Sequence, residues 1–131
     1  MFARTAFNIA ISNTDDHLRN HAAFWDGQRL HLTPAYDLGP AARSGDTASQ
    51  AISYSRSGDE CRQLRRTHLS ASEHGLARTE GAAIVDSLID SVHRGWDLAA
   101  DRTRLSSVDR AFLWGRQILN PAASYGLPTG T

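Results

Sequence analysis

Lysine is absent from this 131-residue sequence, and all fourteen basic residues are arginines. Many nucleotide-binding proteins hold phosphates with a lysine and cover them with a glycine-rich loop. The sequence contains neither feature. The chain alone therefore lacks the usual means of holding nucleotide phosphates.

Cysteine, net charge and long apolar runs are also scarce. The single cysteine, Cys61, excludes an internal disulfide and is typical of a reducing compartment. Basic and acidic residues balance to a formal net charge of zero, so bulk charge does not indicate a nucleic-acid surface. No signal peptide is evident, and no stretch reaches the ~18 apolar residues of a membrane-spanning helix. We therefore expect a cytoplasmic protein with no direct nucleic-acid or membrane contact.

Residues 13–38 contain the side chains best suited to chemistry. They form one cluster over residues 15–21 and a second cluster at residues 36–37. The polar members are Asp15, Asp16, His17, Asn20, His21 and Asp37.

The segment between these clusters predicts a β-hairpin over residues 22–33. Residues 22–25 are apolar and predict a buried strand, whereas residues 29–33 alternate between polar and apolar. Asp26-Gly27 is a dipeptide favoured by a type I′ turn, in which both central residues have positive φ. Because a hairpin brings its two ends together, the pattern predicts that Asn20 and Asp37 lie near each other.

Such an arrangement suits a hard cation. Mg²⁺ prefers oxygen ligands and is commonly bound through one or two carboxylates together with substrate phosphates. Asn20 and Asp37 are the natural donors, and Asp15 could accept a proton from an attacking hydroxyl or orient it. Asp16, His21 and His31 could instead suggest a zinc or phosphoesterase site. No H-x-x-x-H helix or cysteine pair supports that alternative.

The order of these residues resembles the core of the HipA-like serine/threonine kinases, the toxin kinases of bacterial toxin–antitoxin modules. Residues 13–21 match the N-x-D-x-H-x-x-N-H loop of that family. After the hairpin, residues 34–37 match its P-A-Y-D motif, which replaces the usual D-F-G. The motif match is strong over residues 2–40 and only topological beyond them.

The resemblance implies ATP and Mg²⁺ as cofactors and assigns a role to each matching position. Asp15 corresponds to the catalytic base and Asn20 to the first metal ligand. Asp37 corresponds to the second metal ligand, which also contacts the ATP phosphates through Mg²⁺. The remaining cofactor-binding positions implied by the resemblance are His17, Arg19 and Tyr36.

The predicted fold is mainly α-helical, the C-terminal lobe of a protein-kinase-like (HipA-like) fold with one small β-hairpin beside the catalytic loop. We expect one domain over residues 1–120 and a tail over 121–131. Within the domain, the predicted segments are a catalytic loop (13–21), a hairpin (22–33), a metal motif (34–38), a Ser- and Gly-rich loop (39–63) and a helical bundle (64–120).

Apolar periodicity predicts the individual helices. A buried helix is expected over residues 2–12, and a short helix over 67–74 that stops at Gly75. Thr79 is predicted to cap the next helix, and Ser106 with Asp109 resembles a capping box. The apolar stripe of the long helix is Val85, Leu88, Ile89, Val92, Trp96 and Ala99. All three tryptophans are predicted to lie in the core, and Phe112 is predicted to pack inward.

The sequence leaves three functions open. The first is a partial kinase that transfers the ATP γ-phosphate to a protein Ser or Thr. The second is a non-catalytic lobe that binds a partner, such as an antitoxin or a separate N-terminal lobe. The third is metal-dependent phosphohydrolysis with water as acceptor. Without the other lobe, apolar surface should be exposed, which favours partner binding or homo-oligomers.

Overall fold

The computed structural model describes residues 1–41 and 63–124. Its α-helices are α1 (Phe2–Ala10), α2 (Leu64–Leu69), α3 (Arg78–Arg102), α4 (Ser107–Leu113) and α5 (Pro121–Ser124). Short 3₁₀ helices span Leu18–Asn20 and Ala71–His74, and the antiparallel strands are β1 (Ala23–Trp25) and β2 (Leu30–Leu32). The prediction of a mainly helical fold with one hairpin is confirmed. Cys61, most of the Ser-rich loop and residues 125–131 lie outside the described residues.

The core forms where α1 packs against α2 and α3. Phe2, Ala6 and Ile9 recur at helical spacing and are buried, as the apolar stripe predicts. They pack with Leu64 of α2 and Val85 of α3. No helix in the two described ranges is long and apolar enough to cross a membrane.

The start of α3 differs from the prediction. Gly75 adopts the left-handed conformation, with a φ of 73°, and ends the preceding 3₁₀ helix as expected. The residue before α3 is Ala77, whose backbone N–H donates to the Glu80 carboxylate at 2.7 Å. Thr79 lies inside the helix, so its predicted capping role is wrong. The carboxylate of Glu80 takes over that role because it reaches back to an N–H that has no helical partner.

The hairpin is present, but its predicted burial is wrong. All six strand residues are exposed, and Trp25 retains 64% of its accessible surface. Its predicted place in the core is therefore also wrong. Trp96 and Trp114 are half-buried, with ring centroids 5.4 Å apart and ring planes tilted by 38°. Apolar residues in a strand indicate that its side chains favour burial. They do not indicate whether the surface that buries them belongs to the same chain.

The hairpin turn also differs from the predicted type I′ geometry. Asp26 N–H donates to the Arg29 carbonyl at 3.2 Å, so Gly27 and Gln28 are the central residues of the turn. Gly27 has a φ of 100° and Gln28 does not have a positive φ, which is the pattern of a type II′ turn with glycine at its first central position. The Asp26 carboxylate accepts the backbone N–H groups of Arg29 and Gln28, each at 2.7 Å. These bonds, with a smaller contribution from His31, lower the pKa of Asp26. The aspartate thus closes the turn through its side chain.

The C-terminal segment begins as predicted and ends differently. Ser106 caps α4 by accepting the Asp109 N–H at 3.1 Å. Phe112 is half exposed, so its predicted inward packing is wrong. Residues 121–124, predicted as tail, form α5 with Ala123 buried. The Asn120 side chain accepts the Ala122 N–H at 2.9 Å and so caps this helix. Asn followed by Pro is a common start of a helix as well as a common end.

Candidate functional site

The end of α1 is fixed by a buried asparagine. Ser12 takes a left-handed φ of 53° and turns the chain out of the helix. The buried Asn13 side chain then donates through Nδ2 to Asn8 Oδ1 and to the Asp37 carbonyl, both at 3.2 Å. Asn13 therefore joins α1 directly to the segment that carries Asp37. In the sequence, Asn13 is identified only as the first position of the N-x-D-x-H-x-x-N-H loop.

Asp15 and Asn20 lie on one tight loop. The Asp15 side chain is 78% exposed, and its Oδ1 lies 2.6 Å from His17 Nε2. Asn20 Nδ2 donates to the Asp15 carbonyl at 2.9 Å. Because a carbonyl can only accept, this bond fixes the amide so that Asn20 Oδ1 is the atom left for another partner. An amide oxygen presented in this way suits a hard cation.

The two polar clusters meet at the base of the hairpin. Tyr36 donates its hydroxyl to the Arg19 carbonyl at 2.7 Å. Thr33 N–H donates to the Ala22 carbonyl at 3.0 Å, and Arg4 of α1 donates to the Thr33 carbonyl. The prediction that the hairpin brings its ends together is confirmed by these contacts. They join the loop at residues 15–21 to the segment at residues 34–38.

Asp37 has an unusual backbone conformation. Its φ is 56°, in the left-handed region that few non-glycine residues adopt, although aspartate tolerates it better than most. Its side chain is exposed, while its carbonyl is held by Asn13. Left-handed residues of this kind persist when the surrounding structure fixes them, and they cluster at functional sites. The carboxylate predicted to bind metal is therefore set by a constrained backbone.

The donor set fits Mg²⁺ better than zinc. The histidines of the zinc alternative belong to two separate pairs, His21 with Asp16 at 2.8 Å and His31 with Asp26 at 2.6 Å. Within residues 1–41 and 63–124, no group of three or more His, Cys, Asp or Glu side chains could hold a metal ion. Asn20 Oδ1 and the exposed Asp37 carboxylate offer two oxygen ligands, as Mg²⁺ needs when phosphates and water complete its shell.

One buried Asp–His pair in the loop has a role from the sequence only in the zinc or phosphoesterase alternative. Asp16 and His21 are almost fully buried, with side chains 1% and 7% exposed. Asp16 follows Asp15, and His21 follows Asn20. The sequence shows these polar residues side by side, but it does not indicate which of their side chains point inward.

A comparison with models of known protein families gives a match over most of the chain. The family model described as the HipA-like C-terminal domain matches residues 1–96, which include α1, the loop, the hairpin and most of α3. Searches of the curated proteins and of the solved structures found no match.

Proposed function

Because the chain belongs to the HipA-like C-terminal domain family, a kinase-family region, we propose that it is the C-terminal lobe of a serine/threonine protein kinase. The reaction is transfer of the ATP γ-phosphoryl group to a protein Ser or Thr hydroxyl with Mg²⁺. The observation that carries the proposal is the joining of the two motif segments, through Tyr36 to Arg19 and through Asn13 to Asp37. These contacts support the proposal that the residues assigned to phosphoryl transfer lie at one end of the hairpin.

Each side chain has a role consistent with its surroundings. Asp15 is exposed and paired with His17, so its carboxylate can orient an acceptor hydroxyl and take its proton. Asn20 Oδ1 and the Asp37 carboxylate would hold Mg²⁺, which supplies neutralisation of phosphate charge when bound. His17 contacts Asp15, and Tyr36 bonds to the Arg19 carbonyl. We propose that these three residues face the nucleotide.

The chain alone supplies only part of this chemistry. It has no lysine to hold the α- and β-phosphates. In enzymes, a single preorganised donor to developing charge is worth about 10²–10³ in rate. Full activity therefore requires an N-terminal lobe that contributes such a donor and the other wall of the nucleotide cleft.

Calorimetric titration with ATP, with and without Mg²⁺, tests the half-site directly. We expect binding that depends on Mg²⁺ and that is weakened at least about 10-fold in Asp37→Asn, since a carboxylate ligand matters at least as much as the groups orienting it. Asp26→Asn, which changes another exposed aspartate at the hairpin turn, should bind as the unmodified chain does. Binding that ignores Mg²⁺, or an unaffected Asp37→Asn, would contradict the proposed metal site.

A second candidate, a non-catalytic binding module, is favoured by the exposed face of the hairpin. Trp25 is paired with Leu30 on one face of the hairpin, and Leu32 lies on the same face. These side chains are 64%, 70% and 44% exposed, and the two strands have no further neighbour within the described sheet. Apolar patches of this kind mark interaction surfaces, and open strand edges can pair with another chain. We propose that in the isolated protein a second copy pairs with an open edge of this hairpin about a two-fold axis and packs its own Trp25 side chain against this face.

Sedimentation over a range of concentrations tests this surface. We expect a reversible dimer whose dissociation constant rises at least about 10-fold in Trp25→Ser, because buried tryptophans are frequent interface hot spots. Phe112→Ser is the matched control, since Phe112 is an aromatic on α4 that is also exposed. A monomer at all concentrations, or equal effects of the two variants, would contradict dimerisation through the hairpin.

A further inference from the structure

The loop that carries Asp15 and Asn20 is anchored by a polar pair and not by apolar side chains. Its 3₁₀ turn, Leu18–Asn20, contains no buried residue, and Leu18 is 73% exposed. Within residues 15–21, Asp16 and His21 are the side chains that reach the interior, with Asp16 Oδ1 and His21 Nε2 2.8 Å apart. This contact is therefore one of the bonds that hold the loop, together with those of Asn13 and Tyr36.

Two parallel links close the loop, each joining residues five positions apart. The outer link is the bond from Asn20 Nδ2 to the Asp15 carbonyl, and the inner link is the Asp16–His21 pair. Asp15 directly precedes Asp16, and Asn20 directly precedes His21. A shift of Asp16 or His21 must move Asp15 or Asn20, since adjacent Cα atoms keep a fixed separation of about 3.8 Å.

The pair is costly if its only role is stability. Asp16 Oδ2 and His21 Nδ1 are buried and have no hydrogen-bond partner among the described residues. Buried polar groups are normally satisfied, and a buried donor or acceptor that is left without a partner lowers the stability of a fold. Unsatisfied groups beside a candidate site are therefore better explained by a positional requirement.

We propose that Asp16 and His21 are positioning residues that hold Asp15 and Asn20 at the separation needed for phosphoryl transfer. The proposal rests on the proposed function for the purpose of this geometry, but the geometry itself can be measured without nucleotide. Neither residue is assigned contact with substrate or metal, because both side chains are buried.

The test compares Asp16→Ala with Asp26→Ala by NMR. Asp26 forms an exposed pair with His31, with the same residue types and spacing, and so provides a matched control. The exchange of the Asn20 side-chain amide protons with water reports the outer link. We expect this exchange to accelerate at least about 10-fold in Asp16→Ala, while backbone amides of α3 change little and Asp26→Ala has no effect at Asn20.

A conservative variant separates positioning from general destabilisation. Asp16→Asn keeps an oxygen that can accept from His21, so it should restore most of the Asn20 protection, and it decides the question if Asp16→Ala does not fold. Mg²⁺-dependent ATP binding should follow the same order among the variants.

Unchanged exchange at Asn20 in Asp16→Ala would overturn the proposal, as would equal loss of protection throughout α3 in both Asp16 variants. If the unmodified chain binds no nucleotide, the proposed function fails, but the Asn20 measurement still decides whether the pair sets the loop.

Discussion

Asn13→Ala is expected to lower the free energy of unfolding by about 2–4 kcal/mol. The substitution removes the bonds from Nδ2 to Asn8 Oδ1 and to the Asp37 carbonyl. It also leaves the oxygen of the buried Asn8 side chain without that donor, and a buried acceptor without a partner costs more than the net value of the bond itself. The measurement is urea unfolding followed by circular dichroism.

The same substitution should weaken Mg²⁺-dependent ATP binding, because Asn13 helps to hold Asp37 in its left-handed conformation. About 10-fold is the expected loss for a group that orients a ligand. Asn20→Ala is the matched control for stability, since its amide makes one bond in an exposed setting and should cost only about 0.5–1.5 kcal/mol. Equal destabilisation by the two variants would show that Asn13 does not join α1 to the Asp37 segment as described.

The elements of the fold could be predicted wherever the apolar residues followed one clear helical or strand periodicity. The stripe of Phe2, Ala6 and Ile9 predicts both the helix and its buried face, because α1 is covered by elements of the same chain. The hairpin was predicted correctly as an element, but its first strand was predicted to be buried and is exposed. Apolar residues such as Phe24 and Trp25 favour contact, but sequence does not specify whether the covering surface belongs to the chain.

The candidate site could be predicted from residues whose spacing is informative. Asp15, Asn20 and Asp37 followed from a loop, a hairpin and a motif in fixed order, and their roles remain predictions. The supporting residues Asn13 and Asp16 could not be assigned in the same way. The sequence does not distinguish a buried Asn or Asp from one on the surface. Its role depends on partners that can be distant in the chain, such as Asp37, which lies 24 positions from Asn13.

Asp15→Asn is expected to reduce phosphoryl transfer by about 10²–10⁴-fold, the usual contribution of general acid–base catalysis. An amide cannot take the proton of an acceptor hydroxyl at neutral pH. The measurement is incorporation of radiolabelled γ-phosphate into protein, with the chain alone and with an N-terminal kinase lobe added. The added lobe supplies the phosphate-holding lysine that this sequence lacks.

Stability and nucleotide binding distinguish loss of chemistry from loss of structure in this variant. The Asp15 side chain is 78% exposed, so its replacement should change the free energy of unfolding by no more than about 0.5 kcal/mol. The introduced amide would keep an oxygen that can accept from His17, so the loop should retain its shape and Mg²⁺-dependent ATP binding should persist. Transfer that continues unchanged in Asp15→Asn would remove Asp15 from the chemistry and favour a role for the loop in binding alone.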